Sequence, residues 1–301
     1  MNEKKALEIF EKQVSVKTSK IERCGVGHGN YVYIISDEST QYVIRCSNEE
    51  NAYVNTIYWL KQLIKVNIPV PEIIAAGKYQ DYNYIILSYL DGKDLGIVYP
   101  TLSNGEKRNI AREVAKIQNI VGTIELKDIR DNWTWNTFIQ YMLKRAKERI
   151  EKNGYFDINK VEQLWKMSGM LQDYFHQIKP IAYLDDISTK NLLIDKGNVS
   201  GIIDVDWIGI GDKLTYVALT NVALLYMGYD TDYVDYLLEE MDISRVERKA
   251  FIYYSLIYCV DFMGERGKQF GDKRIEVNER IISRLNQIYD NLIIEWNCLD
   301  L

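Results

Sequence analysis

The chain has 301 residues, of which 47% are hydrophobic and 27% are charged, and its formal net charge is −6. This length and composition are typical of a globular protein with one or two domains, and they exclude collagen-like and long coiled-coil proteins. Because no long run of basic residues is present, we expect no nucleic-acid partner. An acidic chain suits a cationic small molecule instead.

Further classes of protein are excluded by the numbers of cysteines and histidines and by the lengths of the apolar runs. The four cysteines include no CxxC pair, which argues against a disulfide framework, and two histidines are too few for a histidine-rich metal site. The sequence shows no signal peptide and no apolar run of membrane-spanning length. We therefore expect a soluble, cytoplasmic protein without a membrane partner.

The N-terminal part of the chain is predicted to be mostly β-structure. An amphipathic helix is predicted at 3–13 and a second helix at about 50–66. The other stretches are rich in β-branched and aromatic residues, which favour strands. These strands are predicted at 19–24, 31–36, 41–46 and, as a pair, within 72–90. Together they would make a small antiparallel lobe at 1–90.

Helical periodicity dominates the rest of the chain. Ser103 and Glu106 form a capping box that predicts a helix at 104–120. Further helices are predicted at 134–152, 158–178, 214–228, 231–241, 244–266 and 275–296. One β-hairpin is predicted at 191–207. The sequence therefore predicts an α+β protein in which a larger, mainly helical lobe at 91–301 follows the small β lobe.

Two features of the predicted β lobe suit phosphate groups. A glycine-rich turn between two predicted strands comprises Gly25, Gly27, Gly29 and Asn30. Such a turn can direct its N–H groups at phosphate oxygens, and a kinase-like fold lays a hairpin of this kind over ATP. Arg45 lies on the following strand, where kinases place a phosphate-binding lysine. An ordinary glycine turn and a surface arginine are the alternatives.

The strongest signal lies in the helical lobe. Asp186 precedes Asn191, which opens an apolar strand, and Asp204 ends a second apolar strand. We expect the three residues at one end of a small hairpin, where they could supply a base for a hydroxyl group and two oxygen ligands for Mg²⁺. Aspartates that only form turns are the alternative for either segment alone.

The order of these segments resembles the aminoglycoside phosphotransferase family, small-molecule kinases with a protein-kinase-like two-lobe fold. The resemblance spans nearly the whole chain. It rests on the glycine hairpin at 25–30, YVIR, PVPEIIAAG, YLDGKDL, the 186–194 segment, GIIDVDW and Gly211-Asp212. Within the family the chain is most similar to the hygromycin B phosphotransferases, which also carry arginine in the YVIR position.

The resemblance implies roles for individual residues. Asp186 would be the catalytic aspartate, and Asn191 and Asp204 would bind Mg²⁺. ATP or GTP would be bound by Gly25, Gly27, Gly29, Asn30, Arg45, Ser88, Tyr89, Leu90 and Ile203, with the adenine ring against the segment Ser88–Leu90. Late helices wall the acceptor site in the family, which makes Asp261 and Glu265 candidate substrate residues.

The chain departs from the family pattern at several positions. Leu184 stands where the family has a histidine that helps to fix the catalytic loop, and Asp185 replaces a small or neutral residue. Lys213 and Tyr216 replace a proline and an aspartate. The helix glutamate that pairs with the phosphate-binding cation in kinases is not evident.

Together these features predict Mg²⁺- and nucleotide-dependent phosphorylation of a small molecule. The expected acceptor is a hydroxyl group of a cationic, aminoglycoside-type antibiotic. One alternative is a kinase of another metabolite, such as choline, a sugar or homoserine. A further alternative is a nucleotide-binding pseudokinase without catalytic activity. The protein is expected to be a monomer.

Overall fold

The computed structural model describes residues 1–14, 16, 18, 20–24, 31–127, 133–270 and 273–299. The chain forms two compact units. The first comprises Met1–Lys93, Leu192–Asp195 and Ser200–Trp207, and the second comprises Asp94–Asn191, Lys196–Val199 and Ile208–Leu301. The first unit thus takes in two segments from the later part of the chain, whereas the division at residue 90 stays a prediction from the sequence.

The first unit contains a five-stranded sheet with the strand order β1-β2-β3-β5-β4. The strands are β1 (Lys20–Arg23), β2 (Tyr31–Ser36), β3 (Gln41–Ser47), β4 (Ile73–Tyr79) and β5 (Tyr82–Ser88). All neighbouring strands are antiparallel. Successive side chains of a strand point to opposite faces, and Tyr33 and Ile35 lie fully buried on one face of β2. The predicted antiparallel sheet is confirmed.

Two helices belong to this unit. α1 (Glu3–Gln13) buries Ile9 in the same hydrophobic core as Tyr33 of the sheet. α2 (Val54–Lys65) begins later than predicted. The reason is Asn51, whose φ of 59° does not fit an α-helix. α1 therefore extends the core of the sheet, and a left-handed residue sets the position at which α2 can begin.

The predicted hairpin in the later part of the chain is present. β8 (Leu192–Asp195) and β9 (Asn198–Ile202) are joined by Lys196 and Gly197, whose φ angles are 47° and 77°. Two successive positive φ angles are typical of a type I′ turn, whose twist matches that of a hairpin. With β6 (Lys93–Asp94), the hairpin forms a three-stranded sheet with the order β6-β8-β9.

Helices make up most of the second unit. They are α3 (Leu95–Val98), α4 (Asn104–Val121), α5 (Trp135–Asn153), α6 (Asn159–Ser168), α7 (Gln172–Phe175), α8 (Leu214–Met227), α9 (Asp232–Glu240), α10 (Arg245–Glu265) and α11 (Glu279–Cys298). Short strands lie between them at β7 (Ala182–Tyr183), β10 (Gly209–Ile210), β11 (Gln269–Phe270) and β12 (Lys273–Arg274). The predicted α+β class is confirmed.

Local residues explain several helix boundaries. The predicted capping box of Ser103 and Glu106 is present at the start of α4. Asn278 caps α11, which therefore begins later than predicted. The prediction of one helix at 158–178 is wrong, because α6 and α7 are separated by a 3-10 turn at Gly169–Leu171. A glycine weakens a continuous α-helix at this point.

The hydrophobic core of the second unit lies around α10. This helix packs against α5, α8 and α11, and it buries residues on all sides, including Tyr253 and Tyr254. A helix that is apolar all round is typical of the centre of a domain. Within the described parts of the chain, no helix is long and apolar enough to cross a membrane.

Candidate active site

The segment after β7 carries the predicted catalytic carboxylate. Antiparallel pairing with β10 holds Ala182 and Tyr183, and the next residue, Leu184, is buried. Asp185 is half-buried and Asp186 is exposed. The chain therefore turns outward within a few residues and presents the Asp186 side chain at the surface of the second unit.

Asn191 is hydrogen-bonded to Asp186. Its Nδ2 donates to Asp186 Oδ2 and to the Asp186 main-chain oxygen, each at 3.0 Å. Its own N–H donates to Asp94 Oδ1 at 3.0 Å. Because the amide nitrogen of Asn191 is used on Asp186, the amide oxygen is turned away from that residue and can serve as a ligand.

Arg45 is paired with a carboxylate of the first unit. Its Nη1 and Nη2 bind the two oxygens of Asp206, with Nη1 at 2.9 Å and Nη2 in a shorter contact. Asp206 also accepts a hydrogen bond from Thr56 Oγ1 at 2.7 Å. The ring of Tyr53 lies 5.5 Å from the guanidinium carbon. A bidentate pair therefore orients Arg45, and α2 supports it through Thr56.

Asp204 lies beside the Arg45–Asp206 pair, but its contact with Arg45 is longer and its side chain is more exposed. Its contact with Arg45 Nη1 is 3.4 Å, and 53% of its side chain is exposed, against 24% for Asp206. The φ angles of Asp204 and Asn191 are 59° and 64°. A left-handed backbone is uncommon outside glycine, and it recurs at functional sites. Both predicted Mg²⁺ ligands thus share an unusual backbone geometry.

Hydrogen bonds fix the segment that is predicted to lie against adenine. The Ser88 N–H donates to the main-chain oxygen of Glu72, and Ser88 Oγ accepts from the Glu72 N–H, both at 2.9 Å. The Tyr89 N–H donates to the main-chain oxygen of Gln41 at 3.3 Å. The end of β5 is therefore held to both neighbouring parts of the sheet.

The remaining predicted nucleotide residues differ in how far the structure describes them. Leu90 packs on Gly201, where a Cβ atom would lie 2.5 Å from Leu90 Cδ1, so a larger residue there would push the Leu90 side chain aside. Ile203 is half-buried. The residues of the glycine-rich turn, Gly25, Gly27, Gly29 and Asn30, lie outside the described residues.

Comparison with known proteins identifies the family. Residues 20–236 match the model of the phosphotransferase enzyme family, APH. The chain belongs to the phosphotransferase enzyme family. It is a small-molecule O-phosphotransferase. No curated protein matches the sequence of this phosphotransferase.

Solved structures of aminoglycoside phosphotransferases share the fold of this phosphotransferase. A thermostable mutant of APH(4)-Ia, in ternary complex with ADP and hygromycin B, has a TM-score of 0.66 at 16% identity over 96% of this chain and 97% of the other. ADP-bound APH(2'')-Ib has a TM-score of 0.63 at 15% identity over 98% and 99%. The streptomycin-ATP complex of APH(2'')-IIa has a TM-score of 0.60 at 14% identity over 98% and 97%. The predicted kinase-like fold is confirmed, whereas special closeness to hygromycin B phosphotransferases stays a prediction.

The predicted substrate residues of the phosphotransferase belong to an ion-pair network. Asp261 is buried, and its carboxylate accepts from Arg145 Nε and Nη2 at 3.1 and 2.9 Å and from Arg149 Nη1 at 2.9 Å. Glu265 lies 3.5 Å from the same Arg149 nitrogen. A cationic acceptor would have to displace these arginines to contact Asp261 directly. The substrate role of Asp261 and Glu265 stays a prediction.

A surface groove on α4 lies apart from the predicted site residues. Its volume is about 360 Å³, and its lining includes Arg112, Lys116, Asn119 and Glu240. Arg112 and Glu240 pair with each other at 3.4 Å. None of the predicted site residues lines this groove.

The residues of the phosphotransferase fit a nucleotide-bound Mg²⁺. Asp204 and Asn191 each offer an oxygen ligand, and Mg²⁺ is commonly bound by one or two protein oxygens together with phosphates and water. Arg45 Nε is buried without an acceptor among the described residues. Within that part of the chain, no group of three or more His, Cys, Asp or Glu side chains could hold a metal by itself. Asp204 of the first unit and Asn191 of the second are thus each, taken separately, suited to a metal that arrives with its nucleotide.

Three residues that hold predicted site residues were not singled out from the sequence. Asp206 and Thr56 orient Arg45, and Asp94 holds the main chain of Asn191. The sequence did contain one signal for Asp206. A second carboxylate so close to Asp204 suggested a role separate from that of Asp204. Asp94 stands directly before a helix, so sequence alone favours a capping role.

Asp185 is expected to destabilise the phosphotransferase at neutral pH. Burial, and then the neighbouring charge of Asp186, raise the pKa of Asp185 from 3.8 to about 6. An acid with a raised pKa in the folded state contributes stability that is lost as the pH rises through that pKa. Asp185→Asn should therefore be more stable than the wild type at about pH 8, by about 3 kcal/mol, and similarly stable at about pH 3.5. Urea unfolding of the variant and the wild type at the two pH values measures the difference in their free energies of unfolding. The same difference at both pH values would contradict the prediction.

Proposed function

We propose that this phosphotransferase transfers the γ-phosphoryl group of ATP, with Mg²⁺, to a hydroxyl group of a cationic, aminoglycoside-type antibiotic. The hydrogen-bonded pair of Asp186 and Asn191 carries this proposal, because it lies in the family-matched region and combines a possible base with a metal ligand. Structural neighbours have been solved with hygromycin B, streptomycin and gentamicin. They have also been solved with ADP, AMP-PNP and ATP, which supports ATP as donor, whereas GTP has no such support.

The proposed mechanism assigns one task to each predicted site residue. Asp186 accepts a hydrogen bond from the acceptor hydroxyl and takes its proton as the phosphoryl group is transferred. Asn191 and Asp204 are the proposed ligands of Mg²⁺, which would neutralise phosphate charge when bound. Arg45, held by its pair with Asp206, directs its remaining N–H donors at the phosphates. Positioning and electrostatic stabilisation supply most of the rate enhancement.

A turnover assay tests the proposal. ADP formation would be measured with Mg²⁺-ATP and a panel of hygromycin B, streptomycin, gentamicin, choline, a sugar and homoserine. Acceptor-dependent ADP formation with an aminoglycoside, absent in Asp186→Asn, is the expected result. Turnover with choline, a sugar or homoserine, and with no aminoglycoside, would show that the acceptor belongs to a different class. Stabilisation by Mg²⁺-ATP without turnover of any acceptor would indicate a pseudokinase.

Arg45 provides a separate test of the nucleotide site. Lysine keeps the charge but cannot form the bidentate pair with Asp206, and alanine removes both. We expect the KM for ATP to rise modestly in Arg45→Lys and by about tenfold or more in Arg45→Ala. Steady-state kinetics at saturating acceptor measures both values. The same KM in the wild type and in Arg45→Ala would show that Arg45 does not contact the phosphates.

A further inference from the structure

A glutamine from a neighbouring helix holds the main chain just ahead of Asp186. Gln118 Nε2, on α4, donates to the Leu184 main-chain oxygen at 2.8 Å. Gln118 Oε1 accepts from the Leu184 N–H at 2.9 Å. Gln118 is 1% exposed and Leu184 is 2% exposed. One buried amide therefore satisfies both backbone groups of one residue, as a neighbouring strand would.

The position of this clamp matters because the sheet ends there. Antiparallel pairing of β7 with β10 covers only Ala182 and Tyr183. At the next residue, Leu184, the Gln118 side chain supplies the hydrogen bonds to the backbone. Beyond Asp186, the Gly96 N–H donates to the Thr189 main-chain oxygen at 2.8 Å. Asp186 thus lies on a short loop that is fixed on both sides by bonds within the second unit.

Leu184 has no polar side chain, so hydrogen bonds can hold it only through its backbone. Removing the Gln118 amide would leave a buried donor and a buried acceptor without partners, and the loop would move to satisfy them. Asp186 follows only two residues later, so a shift at Leu184 carries over to its carboxylate. Displacement of a reacting group by about 1 Å can cost about 10²-fold in rate.

We propose that Gln118 is a positioning residue for the Asp186 carboxylate, and that it acts through the main chain of Leu184. The inference rests on the proposed function, since it assigns Gln118 to the same reaction. Gln118 does not touch the reacting groups. Its effect is therefore on kcat, with little change in the KM for ATP.

Gln118→Met tests the role, because methionine has a similar length but cannot form the two hydrogen bonds. We expect kcat to fall by about tenfold or more while the KM for ATP stays within about twofold. Asn221→Leu is the matched control. Asn221 is a buried amide of α8 that donates to Ser255 Oγ of α10 at 3.2 Å, so this hydrogen bond does not hold the loop. It should lower the unfolding midpoint and leave kcat unchanged.

Hydrogen exchange supplies a readout that needs no substrate. The Leu184 amide should exchange about tenfold faster or more in Gln118→Met than in the wild type, because its acceptor is lost. Amides of α10 should be unaffected. Unchanged exchange, or faster exchange with wild-type kcat, would overturn the positioning role. If the wild type phosphorylates no acceptor, the proposed function fails, and faster exchange would then show a clamp of purely structural importance.

Discussion

Asp186→Asn is expected to lower kcat by about 10²-fold or more, which is the size of effect that loss of a general base produces. The asparagine has the same shape and can still accept a hydrogen bond from Asn191 Nδ2, but it cannot take up a proton. The KM for ATP should change little, because the proposed metal ligands Asn191 and Asp204 remain. Initial rates over a range of ATP concentrations, at saturating acceptor, separate the two parameters.

The neighbouring carboxylate is the matched control for this variant. Asp185 is half-buried whereas Asp186 is exposed, so the two side chains point in different directions. We expect Asp185→Asn to change kcat by less than about tenfold. If Asp185→Asn lost activity while Asp186→Asn kept it, the base would be Asp185 and not Asp186. Retention of activity in both would refute the assignment of a base to this segment.

Local patterns were sufficient to predict most of the fold. Stretches rich in β-branched and aromatic residues located the strands of the five-stranded sheet, and the capping box of Ser103 located the start of α4. The errors arose where the backbone departs from the regular pattern. Asn51 delays α2 through a left-handed φ, and Gly169 interrupts the predicted helix at 158–178. Neither effect changes the apolar periodicity on which the predictions depended.

The partners of the site residues could not be predicted in the same way. Arg45 and Asp206 are 161 positions apart, and no periodicity links them. The kinase pattern predicts a helix glutamate as the partner of Arg45. The structure instead pairs Arg45 with Asp206, which follows β9, and α2 contributes the hydroxyl of Thr56 to the same carboxylate. Such pairings depend on how distant segments pack, which local sequence does not encode.

Gln118 is a case where the sequence did contain a signal. It lies on the apolar face of α4, in the register of Val114 and Val121, where a polar side chain is unexpected. A buried amide must find hydrogen-bond partners, so its position predicts that something polar faces it. The pattern cannot say what that partner is. The structure shows that it is the backbone of Leu184.

Asp204→Ala is expected to abolish Mg²⁺-dependent turnover of the nucleotide while the protein remains folded. The Asp204 side chain is half exposed and makes only a 3.4 Å contact with Arg45, so its removal breaks few bonds of the folded state. Arg45 keeps its bidentate pair with Asp206. The loss should therefore fall on metal binding. ADP formation over a range of Mg²⁺ concentrations, together with thermal unfolding of each variant, measures both effects.

The left-handed backbone at position 204 requires a control, because alanine tolerates a φ of 59° less well than aspartate does. Asp242 has a φ of 49°, is exposed just after α9, and donates its N–H to the main-chain oxygen of Glu239 in that helix at 3.1 Å. Asp242→Ala therefore carries the same kind of backbone cost without removing a proposed ligand. It should unfold at a temperature similar to that of Asp204→Ala and keep wild-type turnover. Turnover within about threefold of the wild type in folded Asp204→Ala would remove Asp204 from the proposed metal site.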